Sequence, residues 1–314
     1  MAANVEEIVN RALNEIGSSV TIADLSTDTT KEGKVLRREW VPVVREVLRA
    51  HTWGAVKFRS NIYPVTKSAE KVANGTFTGA ATSWTFDDPP WAYNANNIIK
   101  DTDGVGALSQ ALSITAGKVY VISFVISSLT VGSLIAELGG VPMTAVEENG
   151  TYKFSITAVS TGDLKFTPSN TSRFILDTVS VKEMQSPLFG WSFQFEKPTS
   201  PEWLRTISLS EEDVVYKMEG KYIMSNDGPS LSLVYIGLPL ATNIIDVTYF
   251  DALMDAAIAL RLAAAIAYPI AANLNLAKLK MGEYMAKLGE AMTVSSQEES
   301  ADTIGADDWI NSRQ

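Results

Sequence analysis

Cysteine is absent from the 314 residues, and histidine occurs once. The first absence excludes a disulfide framework, a Cys-ligated zinc and a thiol nucleophile. The second excludes any site built on two imidazoles and restricts a Ser-His-Asp triad to the surroundings of His51. Long apolar runs are lacking too. The charge-free stretch Leu262–Ala277 is broken by Pro269, Asn273 and Asn275, whereas a membrane span needs about 20 predominantly apolar residues, so no membrane insertion is expected. The opening Met1–Val9 has no basic segment leading into an apolar one, and no secretory signal is expected. Positive charge is in deficit, with 26 Lys and Arg against 36 Asp and Glu. The acidity is concentrated in residues 186–314, which hold nine basic and seventeen acidic side chains. A domain that grips phosphates carries the opposite sign, so specific DNA binding is not expected.

What is present divides the chain by its periodicity. Val5, Ile8, Val9, Ala12, Leu13 and Ile16 recur on one helical face, with Asn4 and Glu7 spaced as a capping box and Gly17 at the C′ position. Leu36, Trp40, Val43, Val44, Val47, Leu48 and His51 mark a second helical face, in which Pro42 predicts a kink or the true start. His51, on that apolar face, reads as a core or interface histidine rather than a base. From Thr66 to Met184 the period becomes two. Val119–Ser128, Tyr152–Thr157 and Phe174–Val181 are β-branched or aromatic runs, separated by turns such as Asn74-Gly75 and Asn149-Gly150, a pattern that predicts a β-sandwich. Shorter strands follow over Val214–Met218, Lys221–Met224 and Leu231–Ile236. Helix then returns in two pieces. The first covers Val247–Tyr268, capped by Asp246 or Thr248 and stopped by Pro269, and the second covers Ala271–Met292. The expected fold class is α+β in two domains. Residues 1–65 and 186–295 form a discontinuous helical core with a small β-sheet, 66–185 an inserted sandwich, and 296–314 a tail.

Read without residues 66–185, the flanks resemble the tail tubular protein A family, head-to-tail adaptors of short-tailed phages. The resemblance lies in Glu7–Gly17, Val47–Trp53, Phe195–Arg205, Glu219–Met224, Leu233–Ile236 and the Ala-rich helix pair. Near Pro198 the family has a tighter pattern containing a cysteine, where this chain reads Lys197–Arg205 without one. The resemblance implies a helical-bundle adaptor core and a non-enzymatic structural role in the virion neck, after assembly in the host cytoplasm. It implies a self-assembled ring, twelve-fold in the family, set between the portal protein and the tail nozzle protein, with genomic DNA passing through unbound. It also points to the portal as the partner of the acidic tail, whose Asp307, Asp308, Trp309 and Ile310 combine charge with apolar side chains that are costly to leave in water.

The insertion resembles a jelly-roll carbohydrate-binding module through Asn74–Phe77, Trp84, Leu112–Phe124 and Phe174–Val181. In such modules the residue after the opening motif is often a carboxylate that joins a later Asp at a structural calcium. Here Thr78 holds that place and only Asp177 matches, so no cofactor is expected. Trp91 and Tyr93 follow Asp87–Pro90, which reads as a loop, and exposed loop aromatics are candidates for stacking on a surface glycan. Trp84 is a weaker candidate, since a Trp so near the first strand is ordinarily core. The alternative to the adaptor is therefore a carbohydrate-binding protein, or a sugar-active enzyme with a lectin-like module.

Overall fold

The computed structural model describes residues 4–298, apart from 88–89, 188, 211–213 and 243. The capping box at the start forms as its spacing requires. Asn4 Oδ1 accepts the Glu7 N–H at 2.7 Å, and the Glu7 carboxylate accepts the Asn4 N–H at 3.2 Å, opening α1 (Val5–Glu15). Ile8, Val9, Ala12 and Leu13 turn inward, and Gly17 leaves the helix at φ +73°. Helix α2 (Lys31–Ala50) begins at the Thr30 cap, whose hydroxyl accepts the Gly33 N–H. Pro42 lies inside this one helix and does not mark its start. Helix α3 (Ala252–Ala271) is capped by Asp251, which accepts the Leu253 and Met254 N–H groups, while Asp246 caps only the short 3-10 turn Val247–Tyr249. Pro269 sits within the last turn rather than ending the helix, which closes at left-handed Ala272. Helix α4 spans Leu274–Glu298.

Two compact units emerge. The first comprises the chain up to Ser60, Pro198–Ser208 and the part from Leu233 onward. In it α3 packs against α1, α2 and α4, and the strands Lys57–Ile62, Leu231–Leu238 and Glu202–Leu209 form a sheet in the order first, second, third. Leu204, Ile236 and Leu238 join the helices in one core. The expected helical bundle is thus corrected to a mixed helix-and-sheet unit with four α-helices among the described residues. Helix α3 is long and apolar enough to cross a membrane by length and composition, but its apolar side chains belong to this core.

The second unit comprises Asn61–Lys197 and Leu209–Ser232. It is a sandwich of two antiparallel sheets. One runs in the order Gly150–Thr157, Val119–Val131, Arg173–Met184, Asn97–Lys100, Trp91–Asn94, with Thr66–Glu70 also paired to Arg173–Met184. The other runs Thr85–Phe86, Leu108–Gln110, Leu164–Pro168, Leu134–Leu138, Val141–Pro142. The chain crosses repeatedly from sheet to sheet, as in a jelly roll. Alternation fixes the inner face: Tyr120, Ile122, Phe124 and Ile126 point inward from one strand, opposite Ile156, Phe154 and Tyr152 on its neighbour.

A small sheet, Phe193–Glu196, Tyr222–Ser225 and Tyr216–Glu219, falls in this second unit and not with the helices as the sequence suggested. Its backbone is tied to the strands before and after the sandwich. Val65 N–H donates to Gln194 O and Gln185 N–H to Val65 O, each at 2.8 Å.

The Asn74–Phe77 motif has a steric origin. Asn74 and Phe77 both sit at φ +51°, Phe77 is fully buried, and Val179 N–H donates to Gly75 O at 2.8 Å. A Cβ on Gly75 would lie 1.9 Å from Val179 O. Gly75→Ala is therefore expected to destabilise the sandwich by about 1–3 kcal/mol, the usual cost of overpacking against an unyielding backbone. A urea titration followed by tryptophan fluorescence would show it as a lower midpoint; an unchanged midpoint would mean that the turn relaxes freely.

Candidate functional site

The sequence singled out three aromatic side chains in the sandwich, and the structure gives them different surroundings. Trp84 is buried among Phe77 and Phe166, at ring separations of 5.2 and 6.2 Å, and its indole N–H donates to Asn74 O at 3.2 Å. Trp91 is not on an exposed loop. It opens the edge strand Trp91–Asn94, faces the core edge-on to Phe174 at 5.6 Å, and donates its N–H to Gly106 O at 2.7 Å. Both indoles have found the polar partner that a buried Trp requires and present no open ring face. Tyr93 is two residues on, on the same side of the strand, and 37% exposed.

Tyr93 is held in place through its hydroxyl. Asn94–Asn97 is a tight hairpin turn with Ala95 at φ +45° and Asn96 at φ +70°, the left-handed pair that a two-residue turn demands. The Tyr93 hydroxyl accepts the Asn96 N–H at 3.2 Å and lies 3.3 Å from Asn96 Oδ1, to which it can donate. Asn96 Oδ1 in turn accepts the Gly79 N–H at 2.8 Å, fastening the turn to the Asn74–Trp84 loop. That loop is stiffened by Asn74 Nδ2, which donates to Ala80 O at 2.6 Å and Thr82 Oγ1 at 3.1 Å. Thr76 and Thr78 share a hydroxyl hydrogen bond of 2.9 Å. Asn97 Oδ1 is buried with no hydrogen-bond partner. Phe86, on the preceding edge strand in the other sheet, is 36% exposed. The result is a preorganised edge: an exposed phenol ring bordered by neutral amides and hydroxyls.

Behind this edge lies a buried cation. Lys100 pairs across the sheet with both Trp91 and Phe174 and is fully buried. Its ammonium donates to three backbone carbonyls, Thr102 O at 2.7 Å, Ser172 O at 2.9 Å and Asn170 O at 3.0 Å. Burial, and secondarily the Arg173 guanidinium, hold its pKa below the usual lysine value, opposed by Asp103 and Asp101. Asp103 is itself paired with Arg173 at 2.7 Å.

The residues present do not fit the structural calcium that the module resemblance implies. Thr78 offers a hydroxyl already bonded to Thr76, and Asp177 Oδ1 accepts the Thr178 N–H. The carboxylate that ends the strand Thr66–Glu70 is saturated by the N–H groups of Lys71, Val72 and Val181 and by the Ser180 hydroxyl. Among the described residues no group of three His, Asp or Glu could hold a metal. His51, in the first unit, ends α2 half-exposed, edge-on to Trp53 at 5.0 Å and 3.4 Å from Ser296 Oγ. Asp307, Asp308, Trp309 and Ile310 lie outside the described residues. The asparagines around Tyr93 were not singled out from the sequence. The signal was there in Asn94-Ala95-Asn96-Asn97, an Asn-rich turn between two short apolar runs.

No family model and no curated protein matches the chain. Solved structures similar to part of it include carbohydrate-binding modules. One is described as family 16 carbohydrate binding module-2 (9% identity, 35% of this chain and 97% of that one, TM-score 0.27). Another is the CBM22-1 xylan-binding domain from Paenibacillus barcinonensis (11% identity, 40% and 99%, TM-score 0.30). A third is TmCBM61 in complex with beta-1,4-galactotriose (21% identity, 36% and 98%, TM-score 0.27). These findings correct the adaptor expectation. The neighbours found are carbohydrate-binding modules rather than phage connectors, and the ring beneath a portal, the nozzle contact and the DNA channel are set aside.

Proposed function

We propose that this is a carbohydrate-binding protein whose sandwich recognises a neutral glycan at the Tyr93 edge. The observation that carries the reading is the Tyr93 ring itself, half-exposed yet fixed by its hydroxyl to Asn96. A sugar ring has an apolar face of C–H groups and a rim of hydroxyls. The first stacks on an exposed aromatic ring, and the second exchanges hydrogen bonds with amides, which both donate and accept. Asn94, Asn96, Thr76 and Thr78 supply that mixed capacity without charge. For a glycan bearing carboxylate or sulfate the nearby cations are already committed, since Lys100 is enclosed and Arg173 is engaged with Asp103. Fixing the ring before binding also lowers the ordering cost of association.

A glycan array probed with the full chain tests this. The wild type is expected to be retained by neutral polysaccharides, and Tyr93→Ala to bind about tenfold more weakly. Tenfold is the upper end of the roughly 2- to 12-fold that a ring contact of about 0.5–1.5 kcal/mol gives at about 1.4 kcal/mol per decade. Trp91→Ala, by contrast, should lower the melting temperature through core loss. Equal retention of wild type and Tyr93→Ala would move the site elsewhere, and no retention of the wild type on any glycan would remove the reading.

A further inference from the structure

Helix α4 wears its charges in the wrong place for a helix bathed in water. Six of the sixteen large apolar side chains exposed among the described residues fall between Tyr268 and Val294. Between Lys278 and Glu290 the exposed positions are Leu279, Met281, Gly282, Met285, Ala286 and Gly289, with no charge among them. The charged residues of that stretch run along one side of the helix and pair with one another or with Glu15. Lys280 bonds Glu15 at 2.7 Å and Glu283 at 2.8 Å, and Lys287 bonds Glu290 at 2.6 Å. The face packed on the first unit is Tyr284, Leu288, Ala291 and Ser295. A surface helix ordinarily shows its charged side to solvent. Here the outward face is apolar apart from Lys278, one turn before Gly282, and has the i, i+3, i+7 spacing of Gly282, Met285 and Gly289 that packs one helix on another.

We propose that this face of α4 pairs antiparallel with α4 of a second copy of this chain. Nothing lies within 4 Å of the open side of Gly282 or Gly289, so a partner backbone can approach closely at both positions. Antiparallel pairing that sets Gly282 against the partner's Gly289 brings Met285 beside Ala286 at the two-fold axis. It also puts Lys278 within one turn of Glu290 on the other copy. Parallel pairing would set Lys278 on Lys278 and Glu290 on Glu290. Charge therefore selects both the orientation and a self-complementary partner, as a two-fold interface requires. The inference is independent of the ligand taken by the sandwich.

Sedimentation equilibrium of the full chain reads the mass directly. The wild type should approach twice 34.1 kDa, and Met285→Glu should return it to a folded monomer with an unchanged far-ultraviolet circular dichroism spectrum, because Met285 is 57% exposed. The absence of native cysteine makes orientation testable as well. On mild oxidation Met285→Cys should cross-link to a covalent dimer. Leu274→Cys, some eleven residues or about 17 Å along each helix from the axis, should not. A monomeric wild type, an oligomer indifferent to Met285→Glu, or cross-linking through Leu274→Cys would each overturn the proposal.

Discussion

Lys100→Met is expected to lower the stability of the sandwich unit by about 1–3 kcal/mol, comparable to the loss from Gly75→Ala. Methionine nearly matches the length of lysine and remains apolar, so the hole is refilled and little of the loss comes from a cavity. What disappears is the ammonium that three carbonyls share, at Thr102, Asn170 and Ser172. Asn170 O still accepts the Gly104 N–H at 3.1 Å and Ser172 O an Arg173 N–H at 3.0 Å. What is lost is therefore one charge-assisted bond at each carbonyl rather than every donor, and the cost stays near the about 1–3 kcal/mol of a single unsatisfied buried group. These carbonyls belong to the segments flanking Asn97–Lys100 and Arg173–Met184, so their loosening would spread to the edge that carries Tyr93. Urea unfolding monitored by the fluorescence of Trp84 and Trp91 gives the comparison. A loss below about 1 kcal/mol would show that water replaces the ammonium without penalty.

The second large effect lies in the helical unit and depends on pH. Asp255, on α3, is 8% exposed, and its Oδ1 is buried with no hydrogen-bond partner. Burial first, and then the neighbouring Asp251 carboxylate, push its pKa up from 3.8 to about 6, against the pull of Arg11 and with a small further push from Glu7. A carboxyl whose folded-state pKa is raised is easier to keep neutral than to ionise in the fold. Its contribution is whole below about pH 4, where folded and unfolded chains are both protonated. It is lost as pH rises from about 4 through 6, when the unfolded chain gives up its proton first. Two pKa units correspond to roughly 2–3 kcal/mol. Asp255→Asn should therefore leave stability near pH 4 almost unchanged and raise it near pH 8 by about 2 kcal/mol. Denaturant midpoints at the two pH values measure this. An equal change at both would mean that packing rather than ionisation dominates.

Local chemistry was the legible part of the fold. Asn4 and Glu7 announced their cap three residues apart, and the alternation of Tyr120, Ile122, Phe124 and Ile126 announced a half-buried strand, because each signal is completed by its own neighbours. Proline misled where tertiary packing prevailed. Pro269 removes one backbone hydrogen bond, but α3 buries enough apolar surface to continue through it; at Pro42 only the alternative of a helix start fails, since α2 begins at Lys31. The pair at Pro89-Pro90 similarly concealed the strand beginning at Trp91, whose two-residue alternation with Tyr93 was the better guide. The placement of the small sheet was not legible, since it depends on backbone hydrogen bonds such as Val65 to Gln194 that join residues far apart in sequence. Lys100 was equally hidden. A lysine between Ile99 and Asp101 reads as a solvated strand end, and only the fold brings Asn170 and Ser172 to its ammonium.

The central claim is that a glycan sits on the Tyr93 edge, and a nuclear magnetic resonance titration addresses it residue by residue. Neutral oligosaccharides retained on the array would be added to the isotope-labelled full chain while backbone amide positions are followed. The account predicts saturable shifts at Tyr93, Asn94, Asn96 and Gly79, whose amides line or fasten the edge, with Val121 and Lys165 on other strands unmoved. Saturable shifts confined to other strands, with these four amides still, would contradict it.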